Sequence, residues 1–557
     1  MNPHLTVLMA AAECRGVAKV GGLADVVFDL SIRLAAQHDV LVVLPLYASL
    51  PPAGPSEICF EFPVRFEGAL VSARLHRTRV DGLSVFLIEA EPFSGDGGTV
   101  YVDSGKRGKG PFEDDARRFA FYCAAVWELV KHHEPFSQTQ ILHCHDWHTG
   151  LLPLFVRLEG LQERFRTLFT IHNLDYQGTR PFDEAYAPGA SWRQWFPDRW
   201  DSLVKSGLQE LVADPHAELC FNPLRCAIRC SDAVNTVSPT YAREITKPDR
   251  PAGNFLGGRG LEADLALRHT EGRLWGILNG LDYEIFDPER LDPPFRSSAP
   301  DLLDIRQTHR RQLWQELPQD IEQLASKHGK RFGNAARVRH HLSSFLIAAR
   351  DLPLTVCVTR AVSQKLGLFT EDWRPGLSMM KAFLERGTAL LVVGTGELED
   401  KLEPLNDEPA ALFLQVFDAP FATKLYAAGE LFLMPSDFEP CGISQLMALR
   451  YGCLPIVHDR GGLHDTVLAG KTGFVFQGRT RKLAKEAFLQ SASEAVSAVK
   501  SPGYGTMVRQ AMEQRFEWTK SVQDYELIYL KIFSELLDPP GTAKLLSKGP
   551  RKGKGAI

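Results

Sequence analysis

The sequence lacks several features that would assign it to common protein classes. It contains no uninterrupted apolar run long enough to span a bilayer. Its 63 basic and 68 acidic residues give a formal net charge of −5, so it has no general attraction to nucleic acid or to anionic membranes. The first apolar stretch, residues 5–12, has no basic flank and predicts a strand rather than a secretion signal. We therefore expect a cytoplasmic protein with no nucleic-acid or membrane partner.

Disulfide, metal and dinucleotide motifs are also missing. The ten cysteines form no CxxC pair, which predicts ordinary reduced thiols. Residues 143–148 contain three histidines and an aspartate, but they lack the H-E-x-x-H spacing and no second ligand cluster follows. Neither a G-x-G-x-x-G turn nor a Walker A loop is present in the glycine turn at residues 16–22. The sequence thus predicts no metal site.

What the chain does contain is a repeated unit of apolar strand, polar turn and helix. This unit recurs in both halves, and with 557 residues and 44% hydrophobic content it predicts an α/β protein with two Rossmann-like, doubly wound domains. Alternation at residues 58–90 predicts a small antiparallel excursion, and Thr99–Pro111 predicts a mobile loop rich in glycine and lysine. The predicted boundaries are 1–270 for the N-terminal domain, 271–510 for the second domain with an insertion at about 290–350, 511–537 for a final helix, and 538–557 for a basic, disordered tail.

A carboxylate stands in one of the strand-to-helix turns. Residues 435–442 follow the apolar strand 431–434 and precede a predicted helix, and Glu439 lies within this turn. Ligands of parallel α/β sheets bind at such turns, where the helix start favours phosphate or sugar oxygens. On these residues alone, Glu439 is equally well explained as a first-turn charge that matches the helix dipole.

Two further turns carry cations. Lys19 precedes Gly21 and Gly22, whose lack of side chains permits close approach of a ligand, although a plain strand–loop–helix joint explains the same pattern. Arg360 and Lys365 leave the end of the strand 354–358 within one loop. They are either a pair of solvated charges or a clamp for a diphosphate, since arginine grips oxygens bidentately and lysine adds a point charge.

Eight segments, taken in order, resemble motifs of the bacterial glycogen synthase and plant starch synthase family. They are residues 19–25, 143–148, 171–174, 236–242, 277–282, 363–365, 438–442 and 460–463. The resemblance implies the GT-B fold, in which two Rossmann-like domains face a cleft and the last helix crosses back to the first domain. It also implies a retaining transfer of glucose from ADP-glucose to the non-reducing end of an α-1,4-glucan, glycogen or a maltooligosaccharide, without a metal or other cofactor.

The same resemblance implies roles for individual residues. Arg360 and Lys365 would hold the donor diphosphate, Glu439 would hydrogen-bond the glucose hydroxyls, and His172 would bind the donor glucose. The residues implied in binding the nucleotide sugar are Lys19, Gly21, Gly22, Gly394, Gly396, Cys441, Gly442 and Ser444. Those implied on the sugar or acceptor side are Asp25, Asp146 and Asn173.

The sequence departs from the family pattern at two places in these motifs. Leu366 intervenes before Gly367, where the family usually has glycine directly after the Gln-Lys pair, and Asp437 stands where the family usually has arginine. Two alternatives to an ADP-glucose-dependent synthase therefore remain open. One is a non-catalytic glucan-binding or regulatory relative, and the other is a related hexosyltransferase that uses UDP-glucose or makes another α-glucoside.

Overall fold

A computed structural model of the chain describes residues 3–48, 50, 54–94, 100–101, 115–183, 185 and 190–537. The predicted basic tail at 538–557, and all of the predicted mobile loop at Thr99–Pro111 except residues 100 and 101, lie outside the described residues. The chain divides into two compact units. The first takes in the described residues up to Thr236, then Gly260–Ile277 and the chain from Trp518 onward, while the second comprises Val237–Arg259 and Leu278–Glu517.

The first unit contains a main sheet of nine strands and a separate sheet of three strands. The strands are β1 (Thr6–Ala10), β2 (Asp39–Pro45), β3 (Glu57–Phe66), β4 (Ala69–Val80), β5 (Leu83–Glu89), β6 (Ile141–His145), β7 (Arg166–Ile171), β8 (Arg180–Pro181), β9 (Ala213–Asp214), β10 (Ala217–Phe221), β11 (Ala233–Thr236) and β12 (Leu274–Gly276). The main sheet has the order β12-β11-β7-β6-β1-β2-β5-β4-β3, and the small sheet has the order β8-β10-β9.

The pattern of the sequence explains which strands lie in the centre. Strands β1, β2 and β6 are almost entirely buried, as parallel strands covered on both faces require, and Val7 pairs with Val40 on one side and Ile141 on the other. Strands β3 and β4 alternate between exposed and buried residues and pair antiparallel at one edge. The antiparallel excursion predicted at residues 58–90 is thereby confirmed.

Helices cover the main sheet of the first unit, and the last of them comes from the far end of the chain. The α-helices are Gly22–Leu34, Glu91–Ser94, Asp115–His132, Leu151–Leu158, Trp192–Trp195, Pro197–Lys205, Leu208–Val212, Pro223–Cys230, Glu262–Thr270 and Trp518–Leu537. Trp518, Tyr525 and Tyr529 are buried in the same apolar cluster as Met9 and Val27. The final helix is therefore part of the core of this unit.

The second unit is built on a six-stranded, entirely parallel sheet, with a separate two-stranded ribbon. The strands are β13 (Leu354–Val358), β14 (Asp372–Arg374), β15 (Leu377–Ser378), β16 (Ala389–Val393), β17 (Ala411–Leu414), β18 (Leu431–Met434), β19 (Leu454–His458) and β20 (Phe474–Phe476). The main order is β17-β16-β13-β18-β19-β20, and β14 pairs with β15. All six strands are runs of buried apolar residues, so helices must cover both faces of the sheet.

The helices of the second unit include two long ones in the region predicted as an insertion. The α-helices are Pro239–Glu244, Leu302–His328, Ala335–Ala348, Ser363–Leu366, Met379–Leu384, Glu399–Leu402, Ala419–Ala428, Ser444–Arg450, Gly461–Thr466, Arg481–Val499 and Tyr504–Glu513. Asn334, just before the second of the two long helices, bonds the edge strand β17, since its side chain contacts Phe413 O at 2.9 Å and Gln415 N at 3.0 Å. The insertion thus covers an edge that would otherwise be open to pairing.

The compact units do not coincide with the predicted boundary at residue 270. Strand β12 pairs with β11 and so keeps residues 274–276 in the first unit, whereas residues 237–259 belong to the second. The final helix predicted over 511–537 begins later, at Trp518, because residues 514–517 separate it from the helix Tyr504–Glu513. Phe516 O accepts a hydrogen bond from Leu281 N at 2.7 Å, and Phe516 N donates to the Tyr283 hydroxyl. The segment between the two helices is therefore hydrogen-bonded to residues 281–283.

No helix in the described ranges is long and apolar enough to cross a membrane.

Candidate active site

Lys365 and Glu439 form a buried ion pair at the carboxyl end of the second unit's sheet. Lys365 lies in the short helix that follows β13, and Glu439 lies in the loop that follows β18. Since β13 and β18 are neighbours in the sheet, the two loops meet, and Lys365 Nζ contacts Glu439 Oε2. The Ser436 hydroxyl donates to the same oxygen at 3.2 Å. The side chains are only 13% and 5% exposed, so little water screens the pair.

The backbone of the Glu439 loop is held on two sides. On one side Asp437 N donates to Gln364 O at 2.9 Å, and Gln364 Nε2 donates to Phe438 O at 3.2 Å. On the other side Gly462 N donates to Glu439 O at 2.9 Å, and a Cβ on Gly461 would lie 2.0 Å from that same oxygen. Gly461 also has a φ of +43°. The glycine pair after β19 therefore lets a second loop press against the backbone of Glu439.

Arg360 lies in the same loop region but is used differently. Its side chain is exposed, and no other described residue hydrogen-bonds or pairs with it. A Cβ on Gly394 would lie 1.8 Å from Thr359 O, and one on Gly396 would lie 2.5 Å from Ala361 O. These two glycines allow the turn after β16 to pack against the backbone on both sides of Arg360, which is a structural reason for their presence.

Three more of the predicted residues lie between Glu439 and the first turn of the helix that follows. Cys441 is buried, and burial raises the pKa of its thiol to about 12, so the thiol stays neutral. Gly442 has a φ of +77°, and Ser444 is the first residue of the helix Ser444–Arg450. Glu244, which the sequence did not indicate, accepts a hydrogen bond from Gly461 N at 3.0 Å, and burial raises its pKa to about 7.

In the first unit, Asp146 fixes the turn that carries His172 and Asn173. Asp146 follows β6 and has a φ of +56°, while His172 and Asn173 follow the neighbouring strand β7. Asp146 Oδ1 accepts hydrogen bonds from His172 N at 2.7 Å and from Asn173 N at 3.4 Å. Burial raises the pKa of Asp146 to about 7. The three predicted residues thus form one hydrogen-bonded turn.

His172 is the outermost member of a buried, uncharged histidine network. Its Nε2 lies 3.0 Å from His145 Nδ1, and the His145 ring lies 4.2 Å from that of His143. His143 in turn hydrogen-bonds the Tyr529 hydroxyl at 2.8 Å and the Thr170 hydroxyl at 2.6 Å. Burial lowers the pKa of both His143 and His172 to about 3, so both are neutral at pH 7. The network connects His172 with the C-terminal helix.

The glycine turn after β1 is organised by Glu13, a residue that sequence reasoning missed. Glu13 Oε2 accepts hydrogen bonds from Val20 N at 2.6 Å and Gly21 N at 2.8 Å. Gly22 is the first residue of the helix Gly22–Leu34. The only sequence signal for Glu13 was its position directly after the first strand. The Gly21 N–H, which was expected to face a phosphate, therefore already donates a hydrogen bond to the Glu13 carboxylate.

Lys19, in the same turn, pairs with Asp25 rather than standing alone. Lys19 Nζ lies 2.7 Å from Asp25 Oδ1, and Arg15 Nη1 lies 3.8 Å from the same oxygen. The Lys19 side chain is 49% exposed, so solvent weakens this pair and leaves the ammonium available to a second anion.

In the described part of the chain, no group of three or more His, Cys, Asp or Glu side chains is arranged to hold a metal ion.

Comparisons with known proteins agree with this architecture. Residues 6–267 match the family model described as starch synthase catalytic domain, and residues 353–494 match that described as glycosyl transferases group 1. The glycogen synthase of Geotalea daltonii is 30% identical over 95% of this chain and 99% of its own length. That of Moorella thermoacetica is 31% identical over 95% and 97%, respectively.

A solved structure supports the same assignment. The catalytic domain of starch synthase IV from Arabidopsis thaliana, bound to ADP and acarbose, is 28% identical to the chain. It matches with a TM-score of 0.72 over 96% of this chain and 100% of its own. The GT-B fold and the resemblance predicted from the eight motifs are thereby confirmed. The chain belongs to the glycogen synthase and starch synthase family of glycosyltransferases.

Proposed function

We propose that the protein is a retaining glucosyltransferase that moves glucose from ADP-glucose to the non-reducing end of an α-1,4-glucan, either glycogen or a maltooligosaccharide. The observation that carries the proposal is the buried Lys365–Glu439 pair at the carboxyl end of a parallel sheet. Membership of the family supports the reaction type. The ADP bound to the related starch synthase IV catalytic domain supports an adenine nucleotide as the donor.

The second unit supplies the groups that the departing diphosphate needs. As the bond from the glucose anomeric carbon to the diphosphate breaks, the diphosphate oxygen takes the electron pair, while the acceptor hydroxyl forms the new bond on the same face and passes its proton to that oxygen. Arg360 and Lys365 stabilise the charge that develops on the diphosphate, the kind of contribution that usually dominates catalysis. Glu439, placed beside Lys365, accepts hydrogen bonds from the donor glucose hydroxyls.

The buried pair also explains how Lys365 is kept ready. Glu439 holds the Lys365 ammonium in a site with little water, where an isolated charge would be strongly unfavourable. A donor diphosphate offers Lys365 a second anion, and a sugar hydroxyl offers Glu439 a new donor. Because the two cations supply the positive charge, we further propose that turnover needs no metal ion or other cofactor, and that activity persists in excess chelator.

For the first unit we propose contacts with the donor glucose, the acceptor and the diphosphate. The neutral His172 suits a hydroxyl of the donor glucose, and Asp146 and Asn173 suit the sugar or acceptor hydroxyls. Asp25, paired with Lys19, is proposed on the acceptor side, and Lys19 is proposed to reach the diphosphate together with the backbone at residues 21–22. In the second unit, the backbone and side chains at Gly394, Gly396, Cys441, Gly442 and Ser444 are proposed to border the nucleotide.

One assay tests the proposal directly. The purified protein is incubated with ADP-glucose or UDP-glucose, with and without glycogen or maltooligosaccharides, and nucleoside diphosphate release is followed. We expect release of ADP that depends on the glucan, and chain extension through an α-linkage. Glucan binding without release from either donor would identify a non-catalytic relative. Faster release of UDP would change only the donor, and a product other than a longer α-1,4-glucan would change only the acceptor.

A further inference from the structure

Asp437, two residues before Glu439, is paired with a cation from a distant part of the second unit. Its Oδ1 contacts Nη1 of Arg481, the first residue of the helix Arg481–Val499. The side chains are 20% and 29% exposed, so both are largely withdrawn from water. An exposed pair of this kind contributes little, but partial burial and additional hydrogen bonds make a pair more directional.

Arg481 is itself held in place by a second carboxylate. Its Nε and Nη2 donate to Glu371 Oε1 at 3.0 Å and 2.7 Å. Glu371 Oε2 lies 2.8 Å from Lys485 Nζ, which also donates to the backbone oxygen of Asp372 at 2.7 Å. The guanidinium is therefore fixed at two of its edges, and Asp437 meets a cation with little freedom to move.

On its other side, Asp437 lies against the loop that carries Lys365. Its backbone N donates to Gln364 O at 2.9 Å, and a Cβ on Gly367 would lie 3.0 Å from its Oδ2. Asp437 and the Leu366-Gly367 step are both departures from the family pattern, and they meet at this contact. An arginine at position 437 would face Arg481 and be repelled by it. In this protein the cation, Arg481, lies on the helix Arg481–Val499. The anion, Asp437, lies on the loop next to the turn that carries Lys365.

We propose that Arg481, acting through Asp437, is a positioning residue that sets the spacing of the Lys365 and Glu439 loops. The inference rests on the proposed catalytic roles of Lys365 and Glu439. Displacement of a catalytic group by about 1 Å costs up to about 100-fold in rate. Loss of the Asp437–Arg481 contact therefore acts on turnover more than on donor affinity.

The test is a double-mutant cycle on Asp437→Asn and Arg481→Gln, with kcat and the donor KM measured for each variant. We expect each single variant to lower kcat by about 10-fold or more, and to change the donor KM by less than about 3-fold. The double variant should lose no more than the worse single variant, because both remove the same contact. Lys482→Gln, at the neighbouring and 84% exposed position, should behave as the wild type.

Two further measurements keep the outcomes separate. Glu371→Gln weakens the hold on the Arg481 guanidinium and leaves Asp437 unchanged. It should therefore also lower kcat, but by a smaller factor than Asp437→Asn. Thermal unfolding of every variant identifies any that do not fold, and Arg481→Lys, which retains the charge, then replaces Arg481→Gln and should lose less kcat than Asp437→Asn. Losses in kcat that add in the double variant, or that appear equally in KM, would overturn the positioning role.

Lys365→Ala and Glu439→Gln belong in the same assay. If they lose turnover while Asp437→Asn and Arg481→Gln remain like the wild type, the positioning inference is wrong and the proposed function stands. If Lys365→Ala and Glu439→Gln retain near-normal turnover, the proposed catalytic pair is wrong, and the inference that rests on it falls as well.

Discussion

The polar groups at the carboxyl ends of the two sheets differ in charge. In the second unit they are ions, with Lys365 paired to Glu439, Asp437 paired to Arg481, and Arg360 exposed beside them. In the first unit, by contrast, the histidine network is neutral. His143 and His172 have pKa values lowered to about 3 by burial, so they carry no charge at neutral pH.

Charged and neutral groups suit different chemical partners. A diphosphate carries negative charge that grows as the glycosidic bond breaks, and buried cations stabilise it. Sugar hydroxyls are uncharged, and neutral imidazole or amide groups hydrogen-bond them without the cost of burying a charge. Hydrolytic glycosidases instead place two carboxylates on either side of the bond. The two units therefore differ in the chemical groups that they suit, and each prediction below tests one side of this difference.

The largest effect is expected at the Lys365–Glu439 pair. Lys365→Met or Glu439→Gln alone should reduce turnover at least about 100-fold and destabilise the protein by roughly 3 kcal/mol, since each leaves a buried charge without its partner. The double variant Lys365→Met/Glu439→Gln removes both charges. It should recover stability to within about 1 kcal/mol of the wild type and stay inactive, as measured by urea unfolding and ADP release.

The second prediction concerns stability in acid, to which the first unit should be sensitive. Burial lowers the pKa of His143, His148 and His172 to about 3, and it also lowers that of His145 well below its usual value. Unfolded histidines take up protons below pH about 6.5 whereas these do not, so stability falls as pH drops below that value, by about 2 kcal/mol per fully buried histidine at pH 5. Asp146, with its pKa raised to about 7, gains stability over the same range and offsets about one histidine.

The second unit should resist acid better. Burial lowers the pKa of His458 to about 3, but it raises that of Glu244 to about 7, and the two effects act in opposite directions. Hydrogen exchange followed by mass spectrometry at pH 5 and pH 7.5 should show greater loss of protection in the first unit. His148→Phe should reduce that difference. Equal loss in both units would contradict this explanation.

A smaller effect is expected where the histidine network reaches the C-terminal helix. Tyr529→Phe removes the hydroxyl 2.8 Å from His143 Nδ1 and leaves that buried nitrogen without its partner, which should cost about 1–2 kcal/mol. Tyr504→Phe in the second unit removes a longer bond, 3.3 Å from Glu430 O, and serves as the matched control. Thermal unfolding should show a clearly larger decrease for Tyr529→Phe. A smaller decrease than for Tyr504→Phe would mean that the network is not a stabilising one.

The smallest effect on stability is expected at Lys19. Its pair with Asp25 is half exposed, so Lys19→Met should change the free energy of unfolding by less than about 1 kcal/mol. If Lys19 reaches the diphosphate as proposed, the donor KM should nevertheless rise. An unchanged KM would remove Lys19 from the proposed site and leave the role of the second unit intact.

The alternation of apolar runs and polar turns was enough to predict most of the fold. Strands β1, β13 and β18 are each a mainly apolar run followed by one of the turns singled out in the sequence. These features are local, because they depend on neighbouring residues and on the period of burial. Such features can therefore be predicted from the sequence.

The features that the sequence did not reveal depend on distant partners. Asp437 was recognised as an unexpected anion, but its partner Arg481 is 44 residues away in the sequence. Glu13 bonds the glycine turn through the backbone N–H groups of Val20 and Gly21, which are present at every non-proline residue and give no signal. The division of the chain at residues 237–277 depends on which strands pair, and composition does not determine pairing.

The position of the helix Trp518–Leu537 has a consequence for synthesis of the chain. The ribosome makes this helix after the 240 residues Leu278–Glu517, yet its apolar face belongs to the core of the first unit. At 5–20 residues per second, the first unit waits roughly 10–50 s for its last element. During that interval the apolar face around Met9 and Val27 has no cover, while the second unit has all of its strands. We therefore expect the first unit to be the last to finish folding during translation.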